Sequence, residues 1–207
     1  MNKERQENRQ SGAQKISKEA INELPLAKWQ GPVLLVRTIA EAKEAAALLN
    51  GETVLGFDTE TRPAFKKGQK FNPSLLQLAG TDTVCLFQLQ STGLPGPIID
   101  LLGNPSIVKA GVAPDFDLQS LQAITPFSPG GFIDLARMAR QRGIRDQGLR
   151  GLAALVCAIR ISKSVRTTNW AKRELTQQQI QYAATDAWIS REIYLRLQDL
   201  PPLHQDR

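Results

Sequence analysis

The sequence predicts an α/β fold: a mixed sheet of three antiparallel strands followed by parallel ones, with helices on both faces. Three observations lead there. Apolar runs at 54–58, 74–78 and 84–89 follow one another, with the hairpin signal Gly80-Thr81-Asp82-Thr83 between the last two. From residue 107 onward, short apolar runs alternate with helical patterns. A long helix with the capping box Thr176/Gln179 closes the pattern and stops at Pro201-Pro202.

Residues 1–30 read as a basic, largely disordered arm, charged and glutamine-rich as far as Ile16. Within it, Ser17 caps a short helix through Ala20, Ile21 and Leu24 that ends near Pro25. The run 33–36 has strand character. The alanine-rich stretch 41–49 is a helix stopped by Asn50-Gly51. The run 54–58 is a buried strand that ends in an acid. After the hairpin, 98–102 forms a helical turn and 107–111 another strand. A helix over 114–124 follows, then a strand at 131–134, a helix from Leu135 to Ala139 and another over 148–156. In the last helix Ile180, Ala183, Ala184, Ala187, Tyr194 and Leu197 recur at helical spacing. No internal repeat or second domain is present, so 31–200 reads as one domain and 201–207 as a polar tail.

At 207 residues the chain can bury a substantial core, and 42% of it is apolar. No apolar run approaches the ~20 residues of a membrane span, and the first ten residues carry no apolar signal core. Cys85 and Cys157 each sit in an apolar stretch and read as buried free thiols, not as a disulfide framework. The expected compartment is the cytoplasm, with no membrane partner. The only histidine is His204, in the polar tail. Chemistry that needs a histidine base, nucleophile or metal ligand inside the fold is therefore not expected.

The acids are more telling. Asp58 and Glu60 lie two apart on an extended segment, so their side chains point the same way. Two carboxylates delivered to one spot by a buried strand are costly unless a cation is present. Tyr182 and Asp186 are four apart and share one face of the last helix. On that face Asp186 serves either the same cation or one of the many arginines. Asp115 and Asp117 both open a helix, where an acid is favoured by the helix dipole alone. Hard cations such as Mg²⁺ and Mn²⁺ want oxygen ligands. Four carboxylates can hold two ions roughly 3.5–4 Å apart, which suits in-line phosphoryl displacement. A tyrosine, which ordinarily titrates near ~10, suits orienting a water better than deprotonating it.

The formal net charge is +6, which favours polyanionic partners. Arg62, Lys66, Lys67 and Lys70 follow the first acidic motif directly. Arg137, Arg140, Arg142, Arg145 and Arg150 form a second cluster, and Lys163, Arg166, Lys172 and Arg173 a third. Each cluster alone reads as a solvated face. Beside an acidic site, such residues form the rim that holds a phosphate backbone.

The ordered set of motifs resembles the DEDD superfamily of 3′–5′ exonucleases, in its tyrosine branch. The first motif is Val54-Leu55-Gly56-Phe57-Asp58-Thr59-Glu60-Thr61. The second is Lys109-Ala110-Gly111, then Asp117 six residues after the glycine, and Leu121. The third is Tyr182-Ala183-Ala184-Thr185-Asp186-Ala187. Pro73-Ser74-Leu75-Leu76-Gln77-Leu78 and Asn169-Trp170 with Leu175-Thr176 resemble the ribonuclease D and Werner exonuclease groups. The resemblance covers about 31–200 and selects Asp117 over Asp115. It implies a ribonuclease H-like fold and two ions, Mg²⁺ or Mn²⁺, held by Asp58, Glu60, Asp117 and Asp186. It implies that Tyr182 orients the nucleophilic water. The implied reaction removes nucleoside 5′-monophosphates from the 3′ end of single-stranded DNA or RNA. Arg62, Lys66, Lys67, Lys70, Asn169 and Trp170 are the expected nucleic-acid contacts. Ribonuclease D carries helical nucleic-acid-binding domains after its nuclease domain; here grip is expected from basic loops, the N-terminal arm or a protein partner. Two other readings compete. One is a non-catalytic nucleic-acid-binding or adaptor protein on the same fold, which would be expected to have lost carboxylates. The other is an endonuclease or integrase, which lacks the Tyr-x-x-x-Asp helix.

Overall fold

The structure, a computed structural model, describes residues 15–66 and 68–202. The expectations for the arm before residue 15, for Lys67 and for His204 in the tail lie outside the described residues.

The sheet has six strands in the order β1-β4-β3-β2-β5-β6. Strands β2 (Val54–Glu60), β3 (Leu75–Ala79) and β4 (Val84–Gln88) form the antiparallel set predicted from the hairpin signal. Strands β5 (Val108–Gly111) and β6 (Phe132–Asp134) add to β2 in parallel, as the strand–helix alternation implies. The edge strand β1 (Val33–Val36) pairs in parallel with β4, a placement that no local signal specified.

Period-2 alternation in β2 decides which residues meet. Leu55 and Phe57 point to one face, into a core shared with helices α2 (Ile39–Leu49), α4 (Gly96–Gly103) and α5 (Pro114–Gln122). The residues between them, Gly56, Asp58 and Glu60, therefore belong to the opposite face. There lies the long helix α8 (Gln177–Gln198). It crosses so closely that a Cβ built on Gly56 would collide with the Ala187 carbonyl oxygen. Ala183, Ala184 and Ala187, all fully buried, keep that side of α8 slim enough for the contact. The predicted capping box starts the helix: Gln179 N donates to Thr176 Oγ1 at 3.2 Å, and Thr176 N donates to Gln179 Oε1 at 3.0 Å. Arg191 secures its later turns by donating to the Val54 carbonyl at 3.1 Å.

Several bounds differ from the sequence expectation for local reasons. Helix α2 starts at Ile39 because Thr38 and Glu41 form a second capping box. Residue 89 leaves the strand and opens the single-turn helix α3 (Leu89–Thr92). The turn expected at 98–102 is the two-turn helix α4. Helix α5 opens with Ala113 in the left-handed region, φ +50°, its N–H donating to Asp134 Oδ1 at 3.0 Å. The same oxygen caps helix α6 (Leu135–Arg140) through Ala136 N. Helix α7 (Leu149–Cys157) packs beside α8.

The largest departure is the arm, whose described part is ordered. Residues 17–24 form the expected helix α1 (Lys18–Glu23), with Ser17 Oγ accepting from Ala20 N at 3.1 Å. Ile21 is buried. Ile16 N donates to Asp146 Oδ2 at 3.0 Å, and Arg150 donates to Asn22 Oδ1 at 2.8 Å. Leu26 bridges in parallel to Arg160. Trp29 packs on Trp188 with ring centroids 6.1 Å apart, and its backbone brackets α8: its N–H donates to Thr185 Oγ1 at 3.1 Å and its carbonyl accepts from Gln181 at 2.7 Å. These backbone and aromatic contacts offset the ordering cost that composition alone suggested would go unmet.

Two further features are buried. Lys109 is fully enclosed in the sheet, its ammonium donating to the carbonyls of Leu101 at 3.2 Å and Asn104 at 2.7 Å at the end of α4. Burial lowers its pKa to about 8. Cys85 and Cys157 are buried free thiols, as expected, and burial pushes them up to about 12 and about 11. Among the described residues no helix is long and apolar enough to cross a membrane.

Candidate active site

Three elements converge on one cavity of about 550 Å³. Strand β2 delivers Asp58 and Glu60, the first turn of α5 delivers Asp117, and α8 delivers Tyr182 and Asp186. Asp115 is exposed and lies off the cavity. The helical phase that brings Asp117 inward turns Asp115 to solvent.

Thr59 organises the acids. Its N–H donates to Asp58 Oδ1 at 2.9 Å and its hydroxyl to Asp117 Oδ1 at 2.8 Å, joining the first and second motifs. Asp186 Oδ1 is buried with no hydrogen-bond partner. Among the described residues none of the four carboxylates forms an ion pair, so the alternative of an arginine partner for Asp186 is not realised. Burial and mutual repulsion therefore dominate. Burial, then Asp186 and Asp117, push Asp58 well above the carboxylate range. Burial, then Asp58 and Asp186, push Glu60 up to about 9. Burial raises Asp186 to about 7, opposed by the Tyr182 hydroxyl and the Arg166 guanidinium. Burial raises Asp117 also, against the Thr59 hydrogen bond. Burial, followed by Asp186 and Glu60, drives the Tyr182 phenol far above its ordinary value.

The basic residues divide differently from the sequence expectation. Arg150, Lys163 and Arg166 line the cavity, from the second and third clusters. The clusters were visible in the sequence, but nothing in one dimension says which of their members face the acids. Arg62 instead stacks on Phe71, 3.6 Å from the ring centroid, at a separate recess with Pro73 and Leu89. Lys66 and Lys70 are exposed on the loop beyond, off the cavity. Asn169 is exposed and turns its side chain to Ala171 N at 3.0 Å, an Asx turn. Trp170 corrects the expectation of a nucleic-acid contact. It is 1% exposed, its Nε1 donates to the Arg166 carbonyl at 3.3 Å, and its ring sits 5.9 Å from that of Tyr182. Its apolar bulk supports the phenol from within the core. Gln77, the cross-strand partner of Asp58, is fully buried with both amide atoms unpaired, a placement that its apolar neighbours in sequence do not single out.

Residues 33–200 match the model of the 3′-5′ exonuclease family. The chain belongs to that family. An Arabidopsis thaliana 3′-5′ exonuclease is 30% identical over 193 residues, covering 86% of this chain and 67% of that protein. Ribonuclease D of Gluconacetobacter diazotrophicus is 30% identical over 165 residues, covering 78% of this chain and 41% of that one. The mouse bifunctional 3′-5′ exonuclease/ATP-dependent helicase WRN is 29% identical over 187 residues, and the chain spans 13% of its length. The DEDD exonuclease resemblance drawn from the motifs thus holds. In fold the exonuclease chain is similar to the Aedes aegypti Nibbler EXO domain, with TM-score 0.76 and 23% identity over 84% of this chain and 91% of that one. It is also similar to Escherichia coli RNase D, with TM-score 0.69 and 22% identity over 81% and 45%. The ribonuclease H-like architecture is that of these exonucleases.

Proposed function

We propose that this exonuclease hydrolyses phosphodiester bonds from the 3′ end of single-stranded DNA or RNA and releases nucleoside 5′-monophosphates. Two divalent ions, Mg²⁺ or Mn²⁺, would be held by Asp58, Glu60, Asp117 and Asp186. One observation carries the reading: four carboxylates and a phenol from three elements meet in one cavity, and among the described residues no cationic side chain is paired to them. The donor set is all oxygen, which suits hard ions. The orphaned Asp186 Oδ1 supplies a buried acceptor in need of a cation. Among the described residues no three such side chains are close enough together to count as a formed ligand set. When bound, the ions supply charge neutralisation at the scissile phosphate and acidify the attacking water.

The chain's own residues do the rest. Tyr182 keeps its proton at any physiological pH and so positions water as a hydrogen-bonding group, not as a base. Arg150, Lys163 and Arg166 meet the phosphates, and Thr59 fixes the acceptor directions of Asp58 and Asp117. Retention of the full acid set speaks against a non-catalytic adaptor. The two buried thiols support the cytoplasm as the compartment.

The test uses 5′-labelled single-stranded DNA and RNA with Mg²⁺ or Mn²⁺. The expected product is a ladder shortening from the 3′ end, abolished by chelator and blocked by a 3′-phosphate. Turnover in excess chelator, or cleavage of a closed single-stranded circle, would refute the reading.

A further inference from the structure

We propose that the N-terminal strap, residues 15–32, gives this exonuclease a second compartment that holds the nucleotide on the 5′ side of the scissile bond. The proposal rests on the exonuclease reading above. The strap precedes the family match, which begins at residue 33. It nevertheless builds a groove of about 340 Å³ beside the catalytic cavity. Leu26, Ala27 and Lys28 of the strap form one wall, and Gln177, Gln178 and Gln181 on the first turns of α8 form the other. Tyr182 and Asp186 lie in both the groove and the catalytic cavity, as does Ser162. These three residues stand where the two compartments meet, so a strand leaving the carboxylates would pass over the phenol to enter the groove.

The two compartments differ in chemistry. The catalytic cavity carries Arg150, Lys163 and Arg166, which suit phosphates. The groove carries the exposed amides of Gln177 and Gln178, which can both donate to and accept from a base edge, beside Gln181, whose amide is held by the Trp29 carbonyl. Leu26, 55% exposed, offers an apolar surface to the face of a base, and Lys28 offers one positive charge to a passing phosphate. Lys28, Gln177 and Gln178 are exposed, so the groove opens to solvent as an exit for a continuing chain requires. The strap is tied to residues of the site at two points. Asn22 accepts from Arg150 of the catalytic cavity, and Trp29 brackets the turn of α8 that bears Tyr182.

Leu26→Asp and Gln178→Glu each put a negative charge where the strand would lie, at exposed positions the fold does not need. Two substrates are compared with Mn²⁺: a single-stranded hexamer, and a nitrophenyl ester of a nucleoside 5′-monophosphate, whose leaving group carries no ribose, base or further phosphate for the groove to hold. The readout is the ratio of kcat/KM on the hexamer to that on the ester, which cancels any loss of folded protein. Each variant should lower that ratio at least tenfold. DNA and RNA versions are run side by side, and a loss confined to one assigns that strand to the groove. A ratio within twofold of wild type for both variants overturns the proposal while leaving the exonuclease reading intact. A wild-type protein inactive on both substrates overturns that reading, and this proposal with it.

Discussion

On α5, Asp117 faces the carboxylate cavity and accepts from Thr59, whereas Asp115 two positions earlier stands in solvent. Asp117→Asn removes charge from the place where ions and phosphate would meet, so kcat should fall by on the order of 10²–10³. Asp115→Asn keeps a residue suited to a helix start and should stay within twofold. Steady-state kinetics on a labelled oligomer compares the two, and equal losses would mean that the cavity has been misread. Trp170 acts one step behind the chemistry. Trp170→Ala empties a large buried volume and should cost about 3–5 kcal/mol in chemical unfolding. Trp170→Phe retains most of the apolar bulk but loses the bond to the Arg166 carbonyl. It should unfold closer to wild type, yet lower kcat with little change in KM, because Tyr182 loses part of its support.

At the level of elements, β2 and α8 are held together by an absence of atoms. Gly56→Ala would place a methyl group against the Ala187 carbonyl. Helix α8 must then retreat from the strand, separating Tyr182 and Asp186 from Asp58 and Glu60. Stability should fall by about 1–3 kcal/mol, as for overpacked cores, and activity should fall further than stability accounts for. Thermal unfolding and kinetics on the same sample separate the two effects; native activity in the Gly56→Ala variant would show that α8 tolerates the shift. The sequence disclosed this pair of elements because each has one simple period. Alternation put Asp58 and Glu60 together, and the i, i+4 spacing put Tyr182 over Asp186. What it did not disclose depended on partners distant in the chain. The parallel pairing of β1 with β4 leaves no local mark, and neither does the burial of Trp170. Arg166 is indistinguishable in one dimension from Arg173. The sequence showed the short helix within the strap but not what holds it down, because its anchors, Thr185, Gln181 and Asp146, lie more than a hundred residues away.

For the whole molecule, the buried acids make stability depend on pH in a defined direction. In the metal-free folded chain Asp186 holds its proton up to about 7 and Glu60 up to about 9, against 3.8 and 4.5 as ordinary values. The native state binds more protons than the unfolded one between those limits, so stability falls as pH rises from about 4 to about 9. Lys109 runs the other way. Its folded value of about 8 lies below the ordinary 10.5, so it adds stability as pH rises between those two values. Above about 9 the two buried thiols, raised to about 12 and about 11, outweigh this single lysine, so unfolding midpoints in chelator should decline throughout the alkaline range. Lys109→Met should steepen that decline above about 8, and saturating Mn²⁺ should flatten its lower part. A midpoint indifferent to pH in chelator would contradict the electrostatic account of the cavity. The two thiols, enclosed and held far from their ionised form, bring a practical freedom. Toward a maleimide dye at neutral pH the folded chain should behave as though it had no cysteine. A cysteine introduced at Lys70 or Lys28 then becomes the sole labelling point, and a fluorophore there can follow a strand through the enzyme in real time without removing either native sulfur.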